Sequence, residues 1–175
     1  MPREVELKYR CAEPEEVLRR LESLGARHVG DYHQEDIYFQ HPCRDFASSD
    51  EALRVRISEE GVELTYKGPR GQLPGGKSRE ELIVPVGNLE CLLELLKRLG
   101  FQEIARVRKR RRVFLVEGAE VSLDYVEGLG AFVELEDKGA GTENLRKIAE
   151  TLRLGGSPLE ETYLEMLLRT SARAI

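Results

Sequence analysis

The feature that most constrains this chain is an alternation of charged and apolar residues that recurs along its length. Residues 3–10 read REVELKYR, in which charged side chains at positions 4, 6 and 8 alternate with apolar side chains at positions 5, 7 and 9. Side chains of a β-strand point alternately to its two faces. Such a segment therefore predicts a strand with one charged face and one apolar face.

The same alternation, with charges of both signs, recurs in six further segments: 52–58, 62–68, 78–86, 104–116, 119–126 and 131–137. An extended segment at 26–40 brings the count to eight strands, and their short connections favour antiparallel pairing. Apolar residues at helical spacing predict helices within 12–26, 88–101, 142–154 and 158–174, with Asn88, Thr142 and Ser157 as N-caps. The pattern predicts an α+β fold in which one domain spans residues 1–175.

The faces of these strands can be oriented in two ways. Periodicity alone favours the usual antiparallel sheet, with its charges in water and its apolar side chains inside. The helices reverse that preference, because each has an apolar stripe that needs a partner, and the apolar strand faces are the only large surface available. We therefore expect an eight-stranded, mostly antiparallel closed β-barrel, with helices packed on its outside and charged side chains lining a tunnel.

A charged interior limits what such a tunnel can contain. An unpaired charge in a dry interior costs several kcal/mol, so the tunnel is expected to be hydrated. Its basic side chains would bind a polyanion. Its carboxylates, which that anion repels, are explained by divalent cations between the two.

The motifs on these strands resemble a known family. EVELKYR is similar to the ExExK signature that opens the CYTH superfamily, the triphosphate tunnel metalloenzymes that include class IV adenylate cyclases and thiamine triphosphatases. The similarity continues in order through EDIYF, LRVR, TYKGP, SREE, RKRRRVF, SLDYVEGLGAFVELE and TYLEML, and covers nearly the whole chain. VEGLGAFVELE most resembles the class IV adenylate cyclase-like branch.

The resemblance implies a site for a triphosphate-containing small molecule with Mg²⁺ or Mn²⁺ as cofactor. The implied metal ligands are Glu4, Glu6, Glu134, Glu136 and Glu81. The implied phosphate ligands are Lys8, Arg54, Arg56, Lys67, Arg79, Lys109 and Arg111. Glu4, Glu6, Lys8 and Asp124 are the implied catalytic residues, with Asp124 and Glu81 orienting basic side chains or binding a second metal.

Two departures from the family pattern concern the acidic residues. Ile83 stands where several family members carry a further acid, and Gln40 stands where many have Asp. The first leaves the number of metal ions open.

The reaction also stays open at this point. Attack of water on the terminal phosphorus would make the protein a triphosphatase, whereas attack of the ribose 3′-hydroxyl of ATP on the α-phosphorus would yield cyclic AMP and pyrophosphate. ATP, thiamine triphosphate and tripolyphosphate all remain candidate substrates. A non-catalytic module that binds polyphosphate or a nucleotide in the same tunnel is the alternative.

A competing motif lies at residues 71–78, where GQLPGGKS matches the P-loop pattern G-x-x-x-x-G-K-[ST]. A P-loop requires a helix that starts at its Lys-Ser, here Lys77 and Ser78. The following residues, REELIVPV, are rich in β-branched side chains and contain Pro85, which favours a strand. We therefore interpret 71–78 as a hairpin loop and the P-loop NTPase as the weakest alternative, although Lys77 could still reach substrate.

Charge and cysteine usage bound the partners and the location. The net charge of −5 argues against a general nucleic-acid binder, and RKRRR at 108–112 is interpreted as a strand with a solvated face. The three scattered cysteines predict buried free thiols in a reducing, cytoplasmic compartment. No apolar run is long enough to cross a membrane, so no membrane partner is expected. The family resemblance also allows a homodimer.

Overall fold

The structure is a computed structural model that describes residues 3–73, 76–139 and 141–172. The strands in these residues are β1 Arg3–Arg10, β2 Arg27–Gln40, β3 Ala52–Ser58, β4 Gly61–Lys67, β5 Gly71–Leu73, β6 Gly76–Val86, β7 Gln102–Val116, β8 Ala119–Val126 and β9 Gly130–Asp137. The helices are α1 Pro14–Ser23, α2 Leu89–Arg98, α3 Thr142–Thr151 and α4 Tyr163–Ala172. In the described residues, no helix has the length and apolar character needed to cross a membrane.

Eight of these strands form a closed antiparallel barrel, as the sequence predicts. The strands are ordered β1-β9-β8-β7-β2-β3-β4-β6, and pairing of β1 with β6 closes the ring. The short β5 pairs with the start of β6 outside this ring. Closure leaves the barrel strands no free edge.

The apolar strand faces point outward beneath three of the helices. Leu7, Leu123 and Leu135 pack with Leu21 of α1 and Ile148 of α3 in one core cluster. A second outer cluster joins α2, through Leu96, to Ile37 and Val55 of β2 and β3. The charged strand faces therefore point into the barrel, which settles the orientation that periodicity alone leaves open.

The fourth helix has a different place. Tyr163 and Met166 of α4 pack against Val107, Val126 and Phe132. Each of these three stands two residues from an inward-facing charged residue and therefore shares the inner strand face with it. Helix α4 thus closes one end of the barrel instead of covering its outer wall.

The helix ends follow the sequence in one case and depart from it in two. The side chain of Asn88 accepts a hydrogen bond of 2.9 Å from the backbone N–H of Cys91, so this N-cap is confirmed. The N-cap of α3 is Gly141, and the predicted cap Thr142 is the first residue of the helix. Ser157 is not a cap either, because α4 begins at Tyr163.

Helix α4 starts with a capping box formed by Thr162 and Glu165. Thr162 Oγ1 accepts from the backbone N–H of Glu165 at 3.2 Å, and Glu165 Oε2 accepts from the N–H of Thr162 at 2.6 Å. These two hydrogen bonds place the cap of α4 at Thr162, five residues after the predicted cap Ser157.

Residues 71–78, interpreted from the sequence as a hairpin loop, include the pairing of β5 with the start of β6. Gly71 pairs with Ser78, and Lys77 and Ser78 belong to a strand, where a P-loop needs the start of a helix. The P-loop alternative is therefore wrong, as expected from the sequence, and the side chain of Lys77 lies outside the described residues. The prediction that all three cysteines are buried holds only for Cys11, since Cys43 and Cys91 are exposed free thiols.

Candidate active site in the barrel interior

The barrel encloses a cavity of about 180 Å³, referred to below as the central cavity. Among the described residues, eight basic and six acidic side chains line it, an excess of two positive charges in a protein whose net charge is −5. A second cavity of about 420 Å³ reaches the end of the barrel opposite α4 and shares five described lining residues with the first, namely Arg56, Glu63, Ile83, Arg111 and Glu136. The interior therefore offers a locally positive, hydrated site for an anion.

Most of the predicted site residues meet at this cavity. Those that line it are Glu6, Lys8, Arg54, Arg56, Lys67, Arg79, Glu81, Lys109, Arg111, Glu134 and Glu136. Asp124 is fully buried and does not line the cavity. The side chain of Glu4 lies outside the described residues, although its backbone pairs with Arg79 in β6. Ile83, the departure from the family pattern, also borders the cavity.

Strands β1 and β9 contribute one wall through two facing pairs. Glu6 lies opposite Glu136, and Lys8 lies opposite Glu134. The ammonium of Lys8 is 3.1 Å from Glu134 Oε1. Burial lowers the pKa of Lys8, but the charges of Glu134 and Glu6 outweigh it, so the pKa is raised overall and the group stays protonated.

Asp124 of β8 lies beneath the basic side chains that line the cavity and accepts hydrogen bonds from them. Its carboxylate accepts from Arg111 Nε at 2.7 Å and Nη2 at 2.6 Å, from Lys109 Nζ at 3.3 Å and from the hydroxyl of Tyr163 at 2.9 Å. Burial raises the pKa of Asp124, but Arg111 and Lys109 hold it below its usual value. Asp124 has no exposed surface and is covered by the basic side chains and the tyrosine that donate to it.

Asp36 of β2 is a site residue that the sequence interpretation missed. It accepts from Arg56 Nε at 2.7 Å and Nη2 at 2.8 Å, a bidentate pair, and it lines the central cavity. Burial opposes ionisation, but Arg56 and Arg54 lower the pKa of Asp36 well below its usual range. The motif EDIYF, which belongs to the family resemblance, was the signal that could have identified it.

Strands β3 and β4 supply two more of the basic side chains, Arg54 and Lys67. Arg54 Nη2 donates to Thr65 at 3.2 Å and Glu63 at 3.3 Å, whereas its buried Nε has no hydrogen-bond partner in the described part of the chain. Lys67 bonds to Glu81 across the β4–β6 pair. Glu81 is thus engaged by a lysine in this structure.

Two further basic groups are held at the α4 end. Arg79 donates to the backbone carbonyls of Gly68 and Asp50, both at 2.8 Å. Arg70, in the β4–β5 connection, bonds to Asp50 at 2.7 Å and to Glu165 of α4 at 2.8 Å. Arg70 was missed because a single arginine in a loop has no periodicity to identify it.

The outward-facing arginines of β7 are paired with carboxylates of the barrel surface. Arg106 and Arg108 both bond to Glu35, at 2.6 and 2.8 Å, and Arg112 lies 3.3 Å from Asp31. Arg110 lies over the ring of Tyr125. RKRRR is thus a strand with alternating faces, in which only positions 109 and 111 reach the interior.

The acidic side chains of the central cavity bear on whether it fits a divalent cation. No group of three His, Cys, Asp or Glu in the described ranges is placed to hold a metal by itself. Glu6 and Glu136 are facing neighbours on the cavity wall. Mg²⁺ is commonly held by one or two carboxylates together with substrate phosphates. These residues therefore fit a cation that is bound together with a phosphate ligand.

Comparison with known proteins agrees with this geometry. The CYTH domain model matches residues 2–163. A putative adenylate cyclase of Methanocaldococcus jannaschii is 36% identical in an alignment of 171 positions that covers 93% of this chain and 97% of that protein. The adenylate cyclase CyaB of Aeromonas hydrophila is 29% identical over 96% of this chain and 90% of its own.

A solved structure of similar architecture comes from Pyrococcus horikoshii. It has a TM-score of 0.82 and 39% identity, and the match covers 95% of this chain and 99% of that one. A closed antiparallel barrel with a charged interior defines the class of protein, and the family match identifies it. The chain belongs to the CYTH domain family.

Proposed function

We propose that this protein is a divalent-metal-dependent enzyme that binds the triphosphate of a small molecule in the central cavity. The observation that carries the proposal is the convergence of eight basic side chains on one interior cavity that also has facing carboxylates. A linear triphosphate is the kind of ligand that needs many cationic contacts in a narrow space, and catalysis of its transfer reactions rests on positioning and charge stabilisation.

The basic residues would divide the phosphate chain among them. Arginines offer bidentate contacts and lysines act as point charges. The proposed phosphate ligands are Lys8, Arg54, Arg56, Lys67, Arg79, Lys109 and Arg111. The unpartnered Nε of Arg54 supports this assignment, because a buried donor without an acceptor is costly unless a ligand supplies one.

The carboxylates would hold Mg²⁺ or Mn²⁺. Glu6 and Glu136 are the first choice, and Glu134, Glu81 and Glu4 are the further candidates. A cation held by these residues would neutralise the charge that develops on the phosphate oxygens. Asp124 acts through Arg111 and Lys109, which it orients, and not by contact with the substrate.

Two reactions use this arrangement. If a water molecule is aligned with the terminal phosphorus, the enzyme is a triphosphatase of ATP, thiamine triphosphate or tripolyphosphate. If the ribose 3′-hydroxyl of ATP is aligned with the α-phosphorus, the products are cyclic AMP and pyrophosphate. The names of the Methanocaldococcus and Aeromonas relatives favour the second reaction. Both need the substrate held in line with its nucleophile.

The proposal also covers the domain organisation, the cellular compartment and the partners of the enzyme. We propose that residues 1–175 act as one domain in the cytoplasm, where the free thiols of Cys43 and Cys91 would stay reduced. No nucleic-acid or membrane partner is invoked, since the outer arginines of β7 are engaged by carboxylates. Association into a homodimer stays a prediction from the family resemblance.

The test is a panel assay. Each of the three triphosphates is incubated with Mg²⁺, Mn²⁺ or chelator, and phosphate, pyrophosphate and cyclic AMP are measured separately. We expect metal-dependent turnover of at least one compound. Glu6→Gln and Arg56→Gln should each lower kcat/KM by about 100-fold or more, the usual loss for one electrostatic group of an active site.

Matched variants on the outer face serve as controls. Glu35→Gln and Arg108→Gln make the same changes of charge outside the barrel, and their activity should stay within about threefold of the wild type. Binding of a triphosphate without turnover would favour the non-catalytic module. Equal losses from the inner and outer variants would contradict a catalytic cavity.

A further inference from the structure

The aromatic ring of Tyr163 contacts two basic residues of the central cavity. Lys8 Nζ lies 4.2 Å from the ring centroid, and Lys109 Nζ lies 5.0 Å from it. Tyr163 is only 5% exposed and also lines the cavity. One side chain from α4 therefore touches both lysine ammonium groups.

These two lysines come from separate parts of the barrel wall. Lys8 is on β1 and Lys109 on β7, and β9 and β8 lie between them in the sheet. Their carboxylate partners also differ, since Lys8 bonds to Glu134 and Lys109 to Asp124. The ring of Tyr163 is thus a contact that the two lysines share across the barrel.

The position of the ring is fixed from its other sides. The Tyr163 hydroxyl donates to Asp124 at 2.9 Å, and the ring meets Phe132 edge-on at a centroid distance of 5.0 Å. The capping box of Thr162 and Glu165 sets the start of α4 one residue earlier. The ring is therefore held by the hydroxyl bond, the edge contact and the helix start.

An aromatic face suits this position better than a third carboxylate. A carboxylate would neutralise an ammonium and compete with phosphate oxygens for its N–H groups. A ring attracts the cation through its quadrupole and leaves the positive charge and the donors in place. A lysine side chain is otherwise a flexible four-carbon stem, whose ordering costs conformational entropy on binding.

We propose that Tyr163 is a positioning residue whose ring fixes the ammonium groups of Lys8 and Lys109 for the phosphate oxygens of the substrate. The inference rests on the proposed function and deepens it. It assigns to α4, beyond closing the barrel end, a part in substrate binding that is exerted through these two lysines. The ring carries this role, and the hydroxyl serves only to orient it.

Two substitutions separate the ring from the hydroxyl. Tyr163→Phe keeps the ring and should leave KM for the turned-over triphosphate within about threefold of the wild type. Tyr163→Leu removes the ring and should raise KM about tenfold or more, because two cation–π contacts are lost. In both variants kcat should change less than KM.

Met166→Ala is the control for a weakened helix. Met166 packs in the same cluster one turn later and is not among the described residues that line the central cavity, so its loss should lower thermal stability without raising KM. Equal KM increases in Tyr163→Phe and Tyr163→Leu would overturn the role of the ring. So would a wild-type KM in Tyr163→Leu, or an increase in Met166→Ala that matches it.

A spectroscopic measurement keeps the inference testable if Tyr163→Leu fails to fold. In the wild type, ring currents should shift the ε-methylene proton resonances of two lysines upfield, and Lys8→Arg and Lys109→Arg should each remove one of them. Absence of both shifts would overturn the inference. A wild-type protein that shows these shifts but turns over no triphosphate would instead overturn the proposed function.

Discussion

At the scale of single residues, Lys8 and Lys109 differ in pKa although they contact the same ring. Burial lowers both values, but Lys8 has Glu134 and Glu6 beside it, and its pKa is raised overall. Lys109 has Arg111 and Arg56 nearby, and burial together with these charges lowers its pKa to about 8, despite Asp124. One cation of the cavity thus titrates close to physiological pH.

This difference predicts a pH dependence of substrate binding. Lys109 carries its charge below a pH of about 8 and loses it above, so KM for the triphosphate should rise as pH increases from 7 to 9. A bound triphosphate favours the charged form of Lys109, so the loss of charge occurs in the free enzyme. It therefore appears as a decrease of kcat/KM with rising pH. A pH profile of the steady-state constants measures it.

Lys109→Arg is the matched control, because arginine stays charged throughout this range. Its KM should vary little between pH 7 and 9. The same rise in the variant as in the wild type would assign the dependence to another group.

The inward orientation of a strand residue was predictable only on strands whose charged and apolar faces had been distinguished. Glu6, Lys8 and Lys109 could be placed in the interior because they alternate with apolar neighbours on strands of clear periodicity. Asp36 and Tyr38 also line the cavity. They were missed because β2 was treated as an extended segment whose faces were not distinguished.

At the scale of elements, α2 has the helix start that was predicted best. Asn88 has an extended backbone and accepts from the N–H of Cys91, so the side chain satisfies one of the free donors of the first turn. Its helix covers β2 and β3 through Leu96 and neighbouring leucines. The cap therefore stabilises part of the outer layer, remote from the cavity.

Asn88→Ala should lower the free energy of unfolding by about 1 kcal/mol, with the triphosphate KM unchanged. Asn88→Asp keeps the acceptor and should stay close to the wild type. Urea denaturation followed by circular dichroism gives these values. A loss of the same size in the Asp variant would show that the cap bond is not its cause.

Other elements depended on contacts that a local pattern does not contain. The cap of α4 is Thr162, not Ser157, since Thr162 forms a reciprocal pair with Glu165. Both residues fit the pattern of a cap, and only tertiary packing of α4 into the barrel end selects between them. The pairing of β5 with β6 escaped prediction because its strand has only three residues.

At the scale of the whole molecule, the barrel reverses the usual arrangement of an antiparallel sheet, in which the charged face is in water and the apolar face is inside. Apolar faces lie under α1, α2 and α3, and charged faces surround the central cavity. This orientation was predictable, because several amphipathic helices need one apolar surface and only the strands provide it. The closure of one end by α4 was not, since its apolar residues have the same spacing as those of the outer helices.

The central claim is that the inward carboxylates and basic groups together bind a triphosphate with a divalent cation. A crystal structure with tripolyphosphate and Mn²⁺, with anomalous scattering to locate manganese, tests this most directly. We predict phosphate density inside the central cavity in contact with Arg54, Arg56 and Lys109, and a manganese peak bridging it to Glu6 and Glu136. Manganese and phosphate bound only on the outer surface, with the cavity filled by water, would contradict the account.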